Sequence, residues 1–257
     1  MNEQKDKYVI ITGASAGFGK ATAQVLASNG FNLILIARRI NELNTIKEEI
    51  LSSFDISIET IEADVRDFPS LDRLLRPLIS SKQIEALINN AGLASGLSTI
   101  LEGDMEDWDK MLDTNVKGLL NVTKIVLPKL VSQNSGTIIN ISSIAGKEVY
   151  ANGNVYCASK HAVEAISKAL RIENAIHHIR VTNISPGAAD TEFSLVRFKG
   201  DKERADSVYL GFNPLQAADI AETIRWVLSL PPHVTINDLV IMPTNQPIAS
   251  VIHKNIT

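Results

Sequence analysis

Tyr8-Val9-Ile10-Ile11-Thr12-Gly13-Ala14-Ser15-Ala16-Gly17-Phe18-Gly19 changes character midway, and that change decides the fold. The first five residues are apolar or β-branched and suit a buried strand. Glycines follow at 13, 17 and 19, and a helical pattern runs from Ala21 to Asn29. Glycine lets the backbone turn tightly and approach a ligand, and the free N–H groups of a helix start favour an anion such as phosphate. Gly-x-x-x-Gly-x-Gly is a variant of the dinucleotide-binding fingerprint, here in the strand-to-helix context that the fingerprint needs. Gly13, Ala14, Ser15, Ala16, Gly17, Phe18 and Gly19 are therefore candidate cofactor-binding residues, with an ordinary tight turn as the competing reading.

The same alternation continues along the chain. Further strand candidates are Leu33 to Ala37, Ile56 to Ala63, Ala86 to Asn89, Thr137 to Ile141, Ile179 to Ile184 and Asp238 to Met242. Several are continuously apolar and are joined by helical patterns. That combination predicts a doubly wound α/β fold, a parallel sheet covered on both faces. No repeat, low-complexity tract or linker breaks residues 1–257, which read as a single domain.

Ligands in such sheets bind beyond the carboxyl ends of the strands. The second strand ends in Arg38-Arg39, where an NAD-binding chain would carry an acid for the ribose 2′-hydroxyl. Two guanidiniums instead suit a 2′-phosphate and favour NADP(H). Asp64 and Val65 follow the third strand as candidates for the adenine edge, and Asn89-Asn90-Ala91-Gly92 closes the fourth. Asp107-Trp108 begins a long helical pattern carrying Asn115 and Asn121 ahead of Pro128. Asparagine is unfavourable mid-helix, so Asn115 either faces solvent or has a specific polar duty. The sixth strand leads to Pro186-Gly187 and Thr191-Glu192-Phe193. Residues between Phe193 and Phe212, including Arg197, Lys199, Lys202 and Arg204, are polar and irregular and read as a lid or substrate loop.

Gly153-Asn-Val-Tyr156-Cys-Ala-Ser-Lys160 supplies the candidate chemistry. On a helix, Tyr156 and Lys160 share a face about one turn apart. A nearby ammonium favours the phenolate and brings a phenol of pKa about 10 toward working range. Ser143, at the carboxyl end of the fifth strand, can reach the same oxygen as Tyr156; the alternative for Ser142-Ser143 is a turn cap.

Composition narrows the rest. With 45% hydrophobic residues the core is ample, and a net charge of -4 gives no reason to expect nucleic acid as a partner. Cys157 is the one cysteine, so no intramolecular disulfide exists. Met1 to Lys7 is polar and is not followed by a signal-type apolar run, and no run nears the ~18 to 20 apolar residues of a span. A cytoplasmic protein without a membrane partner is expected. His161, His177, His178, His233 and His253 lack metal-ligand spacing, so no metal is assigned. His177-His178 is expected to close a helix, and Trp226 to lie in a helix core.

Taken in order, Thr12-Gly-x-x-x-Gly-x-Gly, Asn89-Asn-Ala-Gly, Asn115, Ser143, Tyr156-x-x-x-Lys160 and Pro186-Gly187 resemble the short-chain dehydrogenases/reductases over essentially the whole chain. The resemblance implies a Rossmann fold with seven parallel strands in order 3-2-1-4-5-6-7, and a homotetramer or dimer built through two long helices. It implies that Tyr156 exchanges a proton with the substrate oxygen, that Ser143 positions that oxygen, and that Lys160 lowers the tyrosine pKa and holds the nicotinamide ribose. Asn115 would order a water linking Lys160 to solvent, and Asn90, Ala91, Gly92, Pro186, Gly187 and Thr191 would line the cofactor.

Thr191 to Gly200 and Leu239 to Gln246 further resemble NADP-dependent 3-hydroxy acid dehydrogenases, a group including serine and L-allo-threonine dehydrogenases and similar to sulfoacetaldehyde reductases. Arg197 or Lys199 is then the candidate contact for a substrate anion, against a solvated loop charge. Alternatives are a sulfonate-directed reductase, a reductase of neutral ketones, and a non-catalytic NADP(H) sensor on the same fold.

Overall fold

The computed structural model describes residues 6–255; residues 1–5 and 256–257, which hold most of the polar N-terminal stretch, lie outside them. The chain alternates β1 Lys7–Thr12, α1 Gly17–Ser28, β2 Asn32–Ala37, α2 Ile40–Leu51, β3 Ile58–Glu62, α3 Phe68–Ser80 and β4 Gln83–Asn89. It continues through α4 Met105–Leu112, a π-helical turn Asp113–Gly118, α5 Leu119–Gln133, β5 Gly136–Ile141, α6 Asn154–Asn174 and β6 Ile179–Pro186. The last part holds β7 Ala189–Asp190, α7 Phe193–Arg197, α8 Lys202–Ser207, β8 Leu215–Gln216, α9 Ala217–Ser229 and β9 Asp238–Ile241.

β3-β2-β1-β4-β5-β6-β9 form one seven-stranded parallel sheet. Strand alternation divides its side chains between two cores. Val9, Ile11, Leu33 and Leu35 face α1, α2 and α9, whose Leu26, Leu43 and Ile224 complete that layer. Ile10, Ile34 and Ile36 face the other side, with Leu71 of α3, Val126 of α5 and Leu170 of α6. The strand order reverses between β1 and β4, which opens a crevice at their carboxyl ends.

Several expectations need correction. Trp226 is 43% exposed, because Ile224, Val227 and Leu228 take the buried face of α9 and turn position 226 outward. The long helical pattern starts at Met105 and runs through Pro128 to Gln133, where buried Ile125, Val126 and Leu130 hold the helix despite the missing N–H donor. His177 and His178 do close a helix as expected, but it is the 3-10 turn continuing α6, with His178 as its cap at a left-handed φ of 54°. The stretch from Phe193 to Phe212 is only partly irregular: it holds two short helices, α7 and α8, with turns at 198–201 and 208–212, and Asp201 Oδ1 caps α8 by accepting from Arg204 N at 3.0 Å.

Candidate active site

Gly13 and Gly19 shape the floor of the crevice. Gly13 has a φ of +64°, and a Cβ added at Gly19 would stand 2.3 Å from the Gly13 carbonyl oxygen. Asn90 staples this turn to the end of β4, its Nδ2 donating to Thr12 O at 2.9 Å and Gly13 O at 3.2 Å. Thr12 Oγ1 accepts from the backbone N–H of Asn90 and of Ala91, each at 3.0 Å. The asparagine after β4 thus holds the nucleotide turn in place.

A cleft of about 410 Å³ opens above this floor and runs to α7. Gly13, Ser15, Ala16, Gly17, Phe18, Arg39, Asn90, Ala91 and Gly92 line it. So do Ser143, Tyr156, Lys160, Pro186, Gly187, Thr191 and Arg197, with Thr191 close to Gly17 and Lys160 close to Gly92. The remaining sequence candidates stand outside. Ala14 is fully buried, Gly19 lies beneath the turn, and Val65 packs where a Cβ on Gly118 would be. Asp64 is held by Arg66 Nε and Nη2, the latter at 2.6 Å, which keeps its carboxyl below the usual range. Arg38, beside it, is exposed and does not line the cleft.

Arg39 is the guanidinium that does reach the cleft, with Nε on Ser15 Oγ at 3.2 Å. The turn, the backbone N–H groups at the start of α1 and this cation fit a phosphorylated dinucleotide. Glycine is required at 19 because a Cβ there would press on the Gly13 carbonyl, Asn90 Nδ2 and Ala14 Cα and push the turn out of shape.

Tyr156 sits at the first turn of α6, 8% exposed, with the Phe193 ring 5.6 Å away and tilted by 58°. Burial pushes its phenol well above the ordinary value, opposite to the lowering expected from Lys160; the Ser143 hydroxyl and the Arg197 guanidinium are the groups that pull the other way. Lys160 is as buried, and its Nζ donates to Ile141 O at 2.9 Å while standing 5.9 Å from the Tyr156 ring centroid. Burial drives its pKa down to about 8, with the carboxylate of Glu164 opposing. Ser143 also caps the 3-10 turn behind it, accepting from Ala145 N at 3.1 Å, so the cap and site readings of this serine coexist.

Asn115 lies inside the π-helical turn, where the widened coil aims its side chain inward. Its Oδ1 accepts from Leu93 N and its Nδ2 donates to Leu93 O, both at 2.8 Å, with a further bond to Ser159 Oγ at 3.0 Å. The amide therefore braces the strand end after β4 against α6. Specific polar duty, rather than solvent exposure, is the outcome.

Lys199 and Arg197 part company. Lys199 Nζ pairs with Asp107 at 2.9 Å and lies outside the cleft, which removes it as an anion contact. Arg197 is held by Tyr150 Oη, accepting from Nη1 at 3.1 Å, and its guanidinium carbon lies 5.6 and 5.7 Å from the Tyr150 and Tyr156 ring centroids. Its buried Nη2 has no hydrogen-bond partner among the described residues. Tyr150, Tyr209, Gln246 and Ala249 also line the cleft and escaped sequence reading. Gln246 and Ala249 arrive from the C-terminal tail, with Gln246 Oε1 accepting from Ala188 N at 2.7 Å. No local pattern marks them, although Tyr150, six residues before Tyr156, was within reach of a search for aromatics flanking the site.

The short chain dehydrogenase family matches residues 7–201. The chain is 40% identical over 256 residues to an NADP-dependent 3-hydroxy acid dehydrogenase of Schizosaccharomyces pombe, covering 99% of each chain. It is 43% identical over 240 residues to a sulfoacetaldehyde reductase of Chromohalobacter salexigens, covering 93% of this chain and 94% of that one. A solved structure of the closed form of serine dehydrogenase complexed with NADP+ superposes with a TM-score of 0.90 at 40% identity, covering 96% of this chain and 99% of that one. With glycine turn, strand-end asparagine and Tyr156/Lys160 pair assembled at one cleft, this chain belongs to the short chain dehydrogenase family.

Proposed function

We propose that this protein interconverts a small 3-hydroxy acid, of the serine, allo-threonine or 3-hydroxypropionate type, and its carbonyl form with NADP(H). Arg197 carries the reading. A buried guanidinium nitrogen without a partner is costly unless something else supplies an acceptor. A substrate carboxylate beside Tyr156 is such an acceptor, and a sulfonate asks for the same donors. The names of the relatives support both anions.

Arg39, Ser15 and the N–H groups of the glycine turn would hold the NADP(H) phosphates, and Lys160 the nicotinamide ribose. The bound cofactor supplies or accepts the hydride. Tyr156 exchanges a proton with the substrate oxygen, and Ser143 hydrogen-bonds that oxygen and positions it. Asn115 fixes the Leu93 backbone beside Lys160 and keeps the water-mediated proton relay that the family resemblance implies. Arg197 and Tyr150 orient the anion, so that the carbon to be reduced faces the nicotinamide end of the cleft.

The protein is also proposed to be a cytoplasmic homo-oligomer, a dimer or tetramer assembled through α4/α5 and α6. Met105, Leu112 and Leu120 are exposed on the former and Ile172 on the latter, an apolar surface suited to burial between copies. Among the described residues no helix is long and apolar enough to cross a membrane.

The deciding experiment compares kcat/KM for NADPH-dependent reduction of a three-carbon semialdehyde carboxylate, its sulfonate analogue and a neutral aldehyde, in wild type and Arg197→Met. Loss of one charge-assisted bond predicts a fall of about 10- to 100-fold for the preferred anion and little change for the neutral compound. Equal losses on all three would remove the anion contact and leave a broad carbonyl reductase. A sulfonate preference would move the assignment to the sulfoacetaldehyde class.

A further inference from the structure

Glu164 follows Lys160 by one helical turn on α6 and is equally hidden, each residue being 6% exposed. Its Oε1 accepts from Asn183 Nδ2 at 2.6 Å and from Ser185 Oγ at 3.0 Å, both on β6. Its Oε2 pairs with Lys147, which reaches on to Asp238 Oδ1 at 2.7 Å at the start of β9. Asp238 Oδ1 also accepts from Asn183 Nδ2 at 3.0 Å. The network thus ties α6 to two strands and to the segment that carries Ser143.

A carboxylate is expensive to bury, and none of the roles assigned above uses this one. Structural need alone does not place it there, because apolar side chains of similar size commonly fill such positions without loss of stability. Its position relative to Lys160 supplies a reason. Lys160 faces Tyr156 on its own helix, the Ile141 carbonyl of β5, Asn115 near Gly92 and Ser142, whose Oγ donates to the Lys160 carbonyl at 3.3 Å. None of these groups carries a negative charge at neutral pH. Arg197 adds a cation, its guanidinium carbon 5.7 Å from the Tyr156 ring centroid. Glu164 is the carboxylate one turn along the same helix, with Lys147, Asn183 and Ser185 as its partners and Asp238 sharing Lys147 and Asn183 with it.

We propose that Glu164 is a positioning residue for proton transfer: fixed by Lys147, Asn183 and Ser185, it keeps the Lys160 ammonium charged inside a site that is otherwise hostile to a cation. The direction of the Lys160 shift agrees, burial lowering its pKa and Glu164 raising it. Loss of the Glu164 charge removes the one opposing influence, so Lys160 gives up its proton at lower pH and stops favouring the Tyr156 phenolate. This inference rests on Tyr156 and Lys160 having the catalytic roles proposed above.

Glu164→Gln and the double variant Glu164→Gln/Lys147→Met test it. The glutamine keeps acceptor contacts to Asn183 and Ser185, and the second substitution removes the ammonium that the first leaves with Asp238 as its carboxylate partner. Two readouts are taken: the Lys160 titration midpoint by NMR of its side-chain Nζ and Cε in the protein without substrate, and the pH profile of kcat/KM. Both variants are expected to lower the midpoint by about one pH unit, and to move the basic limb of the profile down with it. The double variant is expected to recover a near wild-type Tm while keeping that shift. A recovered Tm with an unmoved midpoint overturns the proposal and leaves Glu164 a structural residue. Tyr156→Phe, assayed in parallel, separates the two readings: if it turns over at the wild-type rate, the catalytic assignment itself fails, whatever Glu164 does.

Discussion

Arg39 Nη2 donates to Glu192 Oε2 at 3.0 Å while Arg39 Nε holds Ser15 Oγ at 3.2 Å, so one guanidinium at the end of β2 joins the glycine turn to the residue that leads into α7. A carboxylate therefore stands where a cofactor phosphate would compete for the same donors.

Glu192→Gln is expected to tighten NADPH binding, by no more than about fivefold because the pair is largely exposed, and to leave NADH unaffected. Arg39→Ala is expected to lower the NADPH-over-NADH preference at least about tenfold. Fluorescence titration of both cofactors at two salt concentrations checks each direction, and the gain from Glu192→Gln should shrink at high salt.

Gly19→Ala would place a methyl against the Gly13 carbonyl, which belongs to backbone and cannot swing aside. The expected loss is more than about 2 kcal/mol of stability, together with NADPH affinity. Urea unfolding and a cofactor titration measure the two effects. A variant with wild-type values for both would mean that the turn relaxes.

Lys160→Met should abolish turnover yet stabilise the fold at neutral pH. Burial lowers the Lys160 pKa to about 8, so between that value and the ordinary lysine range the folded chain binds fewer protons than the unfolded chain. Wild-type stability accordingly rises with pH through this window, and below it the buried charge costs stability. The methionine variant should be more stable by on the order of 1 to 2 kcal/mol at pH 7, an advantage that fades by about pH 10. Urea midpoints at the two pH values decide the sign.

Lys199 Nζ ties the lid to Asp107 at 2.9 Å, and Asp107 Oδ1 in turn accepts from Ser95 Oγ at 2.7 Å. Lys199→Met is expected to raise KM about 3- to 10-fold for anionic and neutral aldehydes alike, because it loosens the lid without touching the anion. The contrast with Arg197→Met, which should discriminate between them, is the control for both assignments. A selective effect of Lys199→Met would return it to the anion-binding set.

Much of this molecule follows from local chemistry. The continuous apolar runs point to strands buried on both faces, and the glycine turn after β1 to a close backbone approach, with an ordinary tight turn as the alternative. The Tyr156–Lys160 pair follows from helical spacing, with each residue on one face of α6. Position along the chain also marked Ser143, Asn90 and Arg39, because parallel strands deliver their carboxyl ends to one edge.

Tertiary structure settled what depends on distance between segments remote in sequence. Arg38 and Arg39 are neighbours in the chain, yet only Arg39 reaches the cleft, since successive residues leaving a strand point to opposite sides. Arg197 and Lys199 are two residues apart on the lid, and packing gave one a tyrosine sandwich and the other an acidic partner. Asn115 needed the π-helical turn to aim it at Leu93, and Glu164 needed Lys147, Asn183 and Ser185 from other elements to become a buried anion. Residue type and spacing carry local conformation; charge, burial and partnership arise only when the sheet brings its strand ends together.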